Sequence, residues 1–171
     1  MKNIIVIIFL RFTLPQCDGF NWHHNINIDD CNQKDIQVLN EFIKNSQTNL
    51  NPDLDVNFNS IIEPLELGWQ LWEKGRLIHW LCSDVPSPFY FYNYNCGLSG
   101  EIPESINELD SIIKLHVDHN NLQGQIPESI CELDISSKSN YWFKINDNYL
   151  CPPYPDCVNM RNIYQHQLLC D

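Results

Sequence analysis

One stretch of the sequence, from Gly97 to Leu150, contains the same pattern twice, followed by a shortened third copy. The dipeptide Ile102-Pro103 recurs as Ile126-Pro127, 24 residues further along the chain. A repeat of this length restricts the fold more than any other feature, because a unit that buries its apolar face only against a copy of itself has to be stacked.

The frame of the repeat consists of alternating apolar residues followed by an asparagine. In the second copy these positions are Ile112, Leu115, Val117, Asn120 and Leu122. The third copy keeps Phe143, Ile145, Asn148 and Leu150. The alternation predicts a short strand whose apolar side chains point inward. We expect each asparagine side chain to bond the backbone of the neighbouring copies.

The pattern LxGxIPxxI after the asparagine resembles the plant-type leucine-rich repeat of plant receptor kinases, polygalacturonase inhibitors and some bacterial surface proteins. The resemblance covers roughly residues 75–157. It implies an α+β fold: a short solenoid of about three coils over 76–150, with a helical N-terminal cap over 17–75 and a disulfide-bearing C-terminal cap over 151–171. It also implies a partner-binding surface on the concave sheet.

Acidic residues outnumber basic ones, 22 to 10, which gives a formal net charge of -12. This charge argues against nucleic acid or an anionic membrane as a partner. The sequence contains no nucleophile–base motif, phosphate-binding loop or paired catalytic carboxylates. It therefore predicts a binding protein and not an enzyme.

The 8 cysteines are scattered between the predicted elements, without C-x-x-C or cysteine–histidine zinc spacing. This distribution predicts disulfides and an oxidising compartment. The apolar run Ile4–Leu10 suits the core of a signal peptide and is too short to span a bilayer. We therefore predict a signal peptide over residues 1–16, no transmembrane span, and a protein that is secreted or held at the cell surface.

The C-terminal segment resembles a cysteine-bearing cap, for which the expected pairs are Cys131–Cys151 and Cys157–Cys170. The four N-terminal cysteines leave two possibilities open. These are Cys17–Cys31 together with Cys82–Cys96, or a pair Cys31–Cys82.

Two helices are predicted in the N-terminal cap. The first follows a possible N-cap at Asp29, Asp30 or Asn32, has apolar residues at helical spacing, and ends near Asn45. The second covers Pro64–Lys74, with Gly75 as its stop signal.

Residues 55–66 match the spacing of the calcium loop in EF-hand and dockerin-like modules. The expected oxygen ligands are Asp55, Asn57, Asn59, the carbonyl of Ile61, Glu63 and Glu66. Ser60 replaces the usual glycine, so we expect it to adopt a positive φ at a cost of order 1 kcal/mol. The alternative is a polar turn that leads into a helix beginning at Pro64. We predict Ca²⁺ as a cofactor that stiffens the N-terminal cap.

Two registers are possible for the strand before the second copy. In one, Phe89–Tyr94 is the strand, which buries an asparagine amide at a cost of roughly 1 to 3 kcal/mol. In the other, Leu77, Trp80 and Cys82 are buried and residues 85–95 form an excursion. The second register is favoured because it places no polar group in the core.

Two groups of residues are predicted to bind an extracellular protein or glycan. The aromatic excursion supplies Tyr90, Tyr92 and Tyr94, unless these rings fold back onto the domain. The variable positions of the concave sheet, expected to face solvent, are Lys114, His116, Asp118, His119, Trp142 and Lys144. The rival interpretation is a calcium-stabilised structural or adhesive surface protein without a dedicated ligand.

Overall fold

The computed structural model describes residues 17–20, 26–83, 95–135, 141–159, 161–166 and 170. The signal peptide predicted over 1–16 lies outside this part of the chain. The described helix α1 spans Gln33–Ser46. The described strands are β1 (Gly19–Phe20), β2 (Trp69–Glu73), β3 (Arg76–Leu81), β4 (Ser99–Gly100), β5 (Lys114–His116), β6 (Asn121–Gln125), β7 (Phe143–Lys144) and β8 (Tyr149–Cys151).

Helix α1 confirms the first predicted helix. The side chain of Asn32 accepts hydrogen bonds from the backbone N–H groups of Lys34 and Asp35, which would otherwise be unpaired at the helix start. Its apolar face, which includes Leu39 and Phe42, is buried. The helix therefore forms where the sequence places a cap before an apolar stripe.

The second predicted helix, Pro64–Lys74, is wrong. Only Pro64–Glu66 is helical, as a single 3-10 turn, and the chain then forms the antiparallel hairpin of β2 and β3. Lys74 and Gly75 have φ values of 51° and 79°, and two successive positive φ angles are what a tight hairpin turn requires. The N-terminal region is consequently a helix joined to a hairpin.

The strands form two sheets. The larger has the order β1-β2-β3-β5-β7, in which β1, β2 and β3 are antiparallel and β3, β5 and β7 are parallel. The smaller sheet is parallel and has the order β4-β6-β8. Apolar residues from both sheets and from α1 form one core, in which Trp72, Trp80 and Phe143 are fully buried.

The leucine-rich repeat solenoid predicted from the repeat is wrong. The larger sheet is mixed, and the two sheets are neither closed on themselves nor wound as a solenoid. The described chain is α+β, with two sheets, one α-helix and four disulfides. The repeat is expressed in equivalent segments: each Ile-Pro dipeptide precedes a 3-10 segment, Glu104–Glu108 or Glu128–Glu132, and strands of successive copies pair in parallel.

The repeated asparagines bond the backbone of adjacent segments, as expected. Asn148 is fully buried, and its amide donates to the carbonyl oxygens of Val117 and Ile145 while its oxygen accepts from Leu122 N–H. Asn120 accepts in the same way from Leu98 N–H, at 2.9 Å. These side chains satisfy buried backbone groups between strands that are too short to do so alone.

The favoured register before the second copy is confirmed. Leu77, Trp80 and Cys82 are fully buried, and β3 pairs with β5 so that Trp80 lies beside Leu115. Residues 84–94, which include most of the predicted excursion, lie outside the described part of the chain.

The disulfides confirm half of the expected pairing. Cys17–Cys31 and Cys82–Cys96 are the first of the two N-terminal possibilities. The C-terminal prediction is wrong, since the pairs are Cys131–Cys157 and Cys151–Cys170. In the smaller sheet, Cys151 of β8 lies beside Gln125 of β6. Cys131 lies in the 3-10 segment Glu128–Glu132, and the cysteine that reaches it is Cys157, which follows the next turn.

Candidate functional site

The residues of the calcium-type loop converge. Both carboxylate oxygens of Asp55 accept from loop N–H groups, those of Asn59 at 3.1 Å and Ser60 at 2.8 Å. Glu66 Oε1 accepts from Asn57 N–H at 3.3 Å, across the width of the loop. Ser60 adopts a φ of 67°, as expected for the position that usually holds glycine. The backbone therefore folds around the predicted acidic side chains.

Glu63 is the centre of this arrangement. The side-chain amides of Asn57 and Asn59 donate to its two carboxylate oxygens, at 3.0 Å and 2.6 Å. A hydrogen bond with Glu66, followed by the bond from Asn59, lowers the pKa of Glu63. Burial, followed by the hydrogen bond with Glu63, raises the pKa of Glu66. The two pKa shifts are opposite, so a proton taken up by this pair favours Glu66 over Glu63.

The donor chemistry of the loop fits a hard cation, which prefers carboxylate, amide and carbonyl oxygens. In the described chain no three histidine, cysteine, aspartate or glutamate side chains are grouped so that they would hold a metal by themselves. The side-chain amides of Asn57 and Asn59 now donate to Glu63. To bind a cation, both amides would have to rotate so that their oxygens face the centre of the loop. Ile62 packs against the core, while Ile61 is 63% exposed.

The second candidate site is the outer face of the larger sheet, the face that points away from the core. It contains an apolar groove of about 350 Å³. The groove is lined by Trp69, His79, Leu81, Ile113, Lys114, Tyr141 and Trp142. Tyr141 is 63% exposed and Ile113 is 44% exposed, so large apolar side chains stand open to solvent. Of the lining residues only Lys114 and Trp142 are predicted for binding from the sequence. Trp69 falls in the segment predicted to be a helix, and His79 lies on β3, outside the repeat from which the binding positions are predicted.

Two predicted lysines border this groove. Lys114 lies 4.4 Å above the ring of Tyr141, and Lys144 lies on the adjacent strand. Burial and then the charge of Lys144 lower the pKa of Lys114. Neither lysine forms an ion pair with a described residue, whereas Lys34 and Arg76 both do. The outer face therefore carries unneutralised positive charge on an acidic protein.

The prediction that the concave positions face solvent is wrong for His116 and Asp118, which are only 8% and 1% exposed. His116 Nε2 lies 3.0 Å from the carbonyl oxygen of Tyr141. A carbonyl only accepts, so Nε2 carries the hydrogen. Burial, followed by the charge of Lys144, lowers the pKa of His116 to about 4.

At the carboxyl ends of the parallel strands, acidic and imidazole side chains form a chain of contacts. His119 Nδ1 lies 2.9 Å from Asp118 Oδ2, and its Nε2 lies 3.3 Å from Asp147 Oδ2. His166 Nε2 lies 3.9 Å from the other oxygen of Asp147. The sequence singled out Asp118 and His119 as variable positions, and the contribution of His166 from the tail could not be read from the repeat.

Three of the predicted partner-binding residues, Tyr90, Tyr92 and Tyr94, lie outside the described residues. None of the helices in the described ranges is long and apolar enough to cross a membrane. No protein-family model matches the chain, and no curated protein matches it. The resemblance to leucine-rich repeat proteins is therefore unsupported by family evidence as well as by the fold.

Proposed function

We propose that this chain is an exported, non-catalytic recognition module that binds an extracellular protein through the outer face of its larger sheet. The observation that carries the proposal is the apolar groove between Trp69 and Trp142, with Lys114 and Lys144 beside it. Exposed apolar surface on a folded chain marks an interaction site when it is concentrated in one place.

The groove favours an apolar segment that carries an acidic residue. A volume of about 350 Å³ accepts one or two side chains. The polar groups of the lining are mostly donors, since the Lys114 ammonium and the two indole N–H groups cannot accept a hydrogen bond. Only Tyr141 and His79 have side-chain atoms that could accept from the hydroxyl groups of a sugar. The lysines supply charge complementarity for a carboxylate on the partner. A protein segment is thus favoured over a glycan.

Export is supported by the cysteines. All those within the described residues are paired, and four disulfides persist only where the surroundings are oxidising. The predicted signal peptide over 1–16 agrees with this proposal, and the net charge of -12 suits a soluble acidic surface.

The test is selection of a displayed random-peptide library on the oxidised chain, with a glycan array in parallel. We expect enriched peptides that place an aromatic or aliphatic residue next to Asp or Glu. Tyr141→Ala and Lys144→Ala should each weaken the selected peptides about tenfold, the loss typical of an interface anchor. The matched controls are Tyr164→Ala, at a tyrosine that is 69% exposed elsewhere, and Lys44→Ala.

Two results would contradict the proposal. One is peptide binding that Tyr141→Ala and Lys144→Ala leave unchanged. The other is binding to glycans only, which would assign the face to carbohydrate.

A second candidate function is calcium-dependent stabilisation of a structural or adhesive surface protein. It is supported by the convergence of Asp55, Glu63 and Glu66 in the loop and by the positive φ of Ser60. Calcium bound in this loop would fix the conformation of residues 55–66 next to strand β2, where the hairpin begins. The two candidates are compatible, because the loop and the groove use different residues.

A further inference from the structure

Three buried polar atoms lie in a row across the parallel strands of the larger sheet. Strand β3 pairs with β5 so that Leu81 is beside His116, and β5 pairs with β7 so that His116 is beside Lys144. Beyond the strand ends, Cys82 N–H donates to the His116 carbonyl and His119 N–H donates to the Asn146 carbonyl, so the register continues and places Ser83, Asp118 and Asn146 in neighbouring positions. The row lies on the outer face, because residues two apart on a strand share a face.

Each member of this row has an oxygen without a partner. Ser83 Oγ, Asp118 Oδ1 and Asn146 Oδ1 are buried and accept or donate no hydrogen bond within the described chain. They make up three of the four such atoms in the described residues. Buried polar atoms are almost always paired, so three in neighbouring positions favour a partner that is not part of the polypeptide.

The row is built to hold these oxygens in place. Asp118 is only 1% exposed, and its other oxygen, Oδ2, accepts from His119 Nδ1 at 2.9 Å. The side-chain amide of Asn146 donates to Asp147 Oδ2, which directs Asn146 Oδ1 the other way. His119 in turn bridges to Asp147 through Nε2. The two acceptor oxygens are thus oriented by neighbours, as ligands in metal sites usually are.

We propose that Asp118 Oδ1, Asn146 Oδ1 and Ser83 Oγ form a binding site for a hard divalent cation at the ends of β3, β5 and β7. One carboxylate, one amide oxygen and one hydroxyl form an all-oxygen set, which suits Ca²⁺ or Mg²⁺ and not a thiophilic metal. Asp118 and Asp147 bring two carboxylates to the row, and these offset the charge of Lys144, which lies two residues before Asn146 on the same face. This site is separate from the loop of residues 55–66 and does not depend on the function of the groove.

The test removes the loop site first. In the oxidised full chain carrying Glu66→Gln, titration calorimetry with Ca²⁺ and with Mg²⁺ should show one remaining site. Adding Asp118→Asn, which keeps the shape of the side chain, should weaken that site at least tenfold. Adding the charge-matched Asp156→Asn, at an exposed acid elsewhere, should leave it unchanged. The side-chain amide resonances of Asn146 should shift as the cation is added.

A second variant, Ser83→Ala, tests the same site if Asp118→Asn impairs folding. Ser83→Ala removes one oxygen from the row without leaving a charge, and it should weaken the remaining site several-fold while circular dichroism stays unchanged. The proposal is overturned if the Glu66→Gln chain gives no heat with either cation and the Asn146 amide does not shift. Equal affinity in the Glu66→Gln chain with and without Asp118→Asn would overturn it as well. Loss of the loop site alone bears only on the calcium candidate described above.

Discussion

Arg76 and Asp35 form a two-point ion pair that joins the hairpin to the helix. Arg76 Nε lies 2.9 Å from Asp35 Oδ2, and Nη2 lies 2.9 Å from Oδ1. Asp35 is completely buried and also accepts from Leu77 N–H at 2.8 Å. The carboxylate thereby raises the pKa of the Arg76 guanidinium and fixes α1 against the start of β3.

Replacing Asp35 with alanine should destabilise the protein by about 1.5 to 3 kcal/mol, because the buried Leu77 N–H loses its acceptor and Arg76 keeps only Asp110 and the Glu108 carbonyl oxygen as partners. Chemical denaturation of the oxidised protein measures this loss. Lys34→Ala is the control, since it breaks an ion pair whose lysine side chain is 67% exposed, and no measurable change is expected. A loss below about 1 kcal/mol for Asp35→Ala would contradict the role assigned to this pair.

Millimolar Ca²⁺ should raise the melting temperature, because a ligand that binds only the native state stabilises it by mass action. Glu66→Gln should remove most of this increment and leave the protein folded. Glu104→Gln, at an exposed glutamate in a repeated segment, should leave the increment unchanged. Differential scanning calorimetry with and without chelator measures it. An identical melt of the wild type in both conditions would assign the loop to a purely structural turn.

The calcium effect should grow as the pH rises. The folded-state pKa of Glu66 is raised, so this carboxyl binds a proton more tightly in the native protein than in the unfolded chain. In the absence of calcium its contribution to stability is therefore present below the ordinary glutamate pKa and is lost as the pH rises through the raised value. Calcium competes with that proton, so its affinity should increase across the same window. Calorimetric titrations at several pH values between 4 and 7, each of roughly equal ionic strength, test the trend.

His116 should make the protein less stable in mild acid. Its pKa of about 4 in the folded chain lies below the ordinary value of 6.5, so the unfolded chain takes up the proton first. The stability that depends on neutral His116 is complete above pH 6.5 and decreases as the pH falls toward 4, by up to about 3 kcal/mol. His116→Gln keeps a donor for the Tyr141 carbonyl and should flatten this decline. An NMR titration that finds an ordinary pKa for His116 would contradict the expectation.

Peptide mapping of the oxidised protein should recover Cys131–Cys157 and Cys151–Cys170 and not the alternative C-terminal pairs. The Cys131–Cys157 bridge closes a loop with a sequence separation of 26. Replacing both cysteines with serine should cost about 3 to 4 kcal/mol on the chain-entropy estimate. Denaturation of the double variant measures this loss, and Ser105→Ala, which removes one surface hydrogen bond, is the control.

The sequence was informative where a residue has one local physical task. The cap at Asn32, the amides of Asn120 and Asn148, and the positive φ of Ser60 were all predicted from residue type and position. The sequence does not distinguish the β2–β3 hairpin from a helix, because Leu65, Trp69 and Trp72 also fit a helical period. Gly75, which lies in the hairpin turn, is also a typical helix stop signal.

The architecture and the groove were less predictable because they depend on contacts between distant segments. A repeat with two copies is too short to determine how its neighbours join it, and the antiparallel strands β1 and β2 come from outside the repeat. Trp69 and His79 reach the groove only through the β2–β3 hairpin. The burial of Asp118 likewise depends on its neighbours across the sheet and has no signal in its own sequence.

The asparagine contacts also determine how the repeated region ends. Asn120 and Asn148 accept from the backbone N–H groups of Leu98 and Leu122 in the preceding copy. At the last segment two tail side chains bind the backbone instead: Asn162 accepts from Ile145 N–H at 3.0 Å, and Gln165 donates to the Ile145 carbonyl oxygen at 3.0 Å. At the other end Ser46 Oγ, from the last turn of α1, accepts from Ser99 N–H at 3.0 Å. Non-repeat side chains thus bind the backbone at both ends of the region, and a truncated chain that lacks either of them would expose unpaired amides to proteases and to other chains.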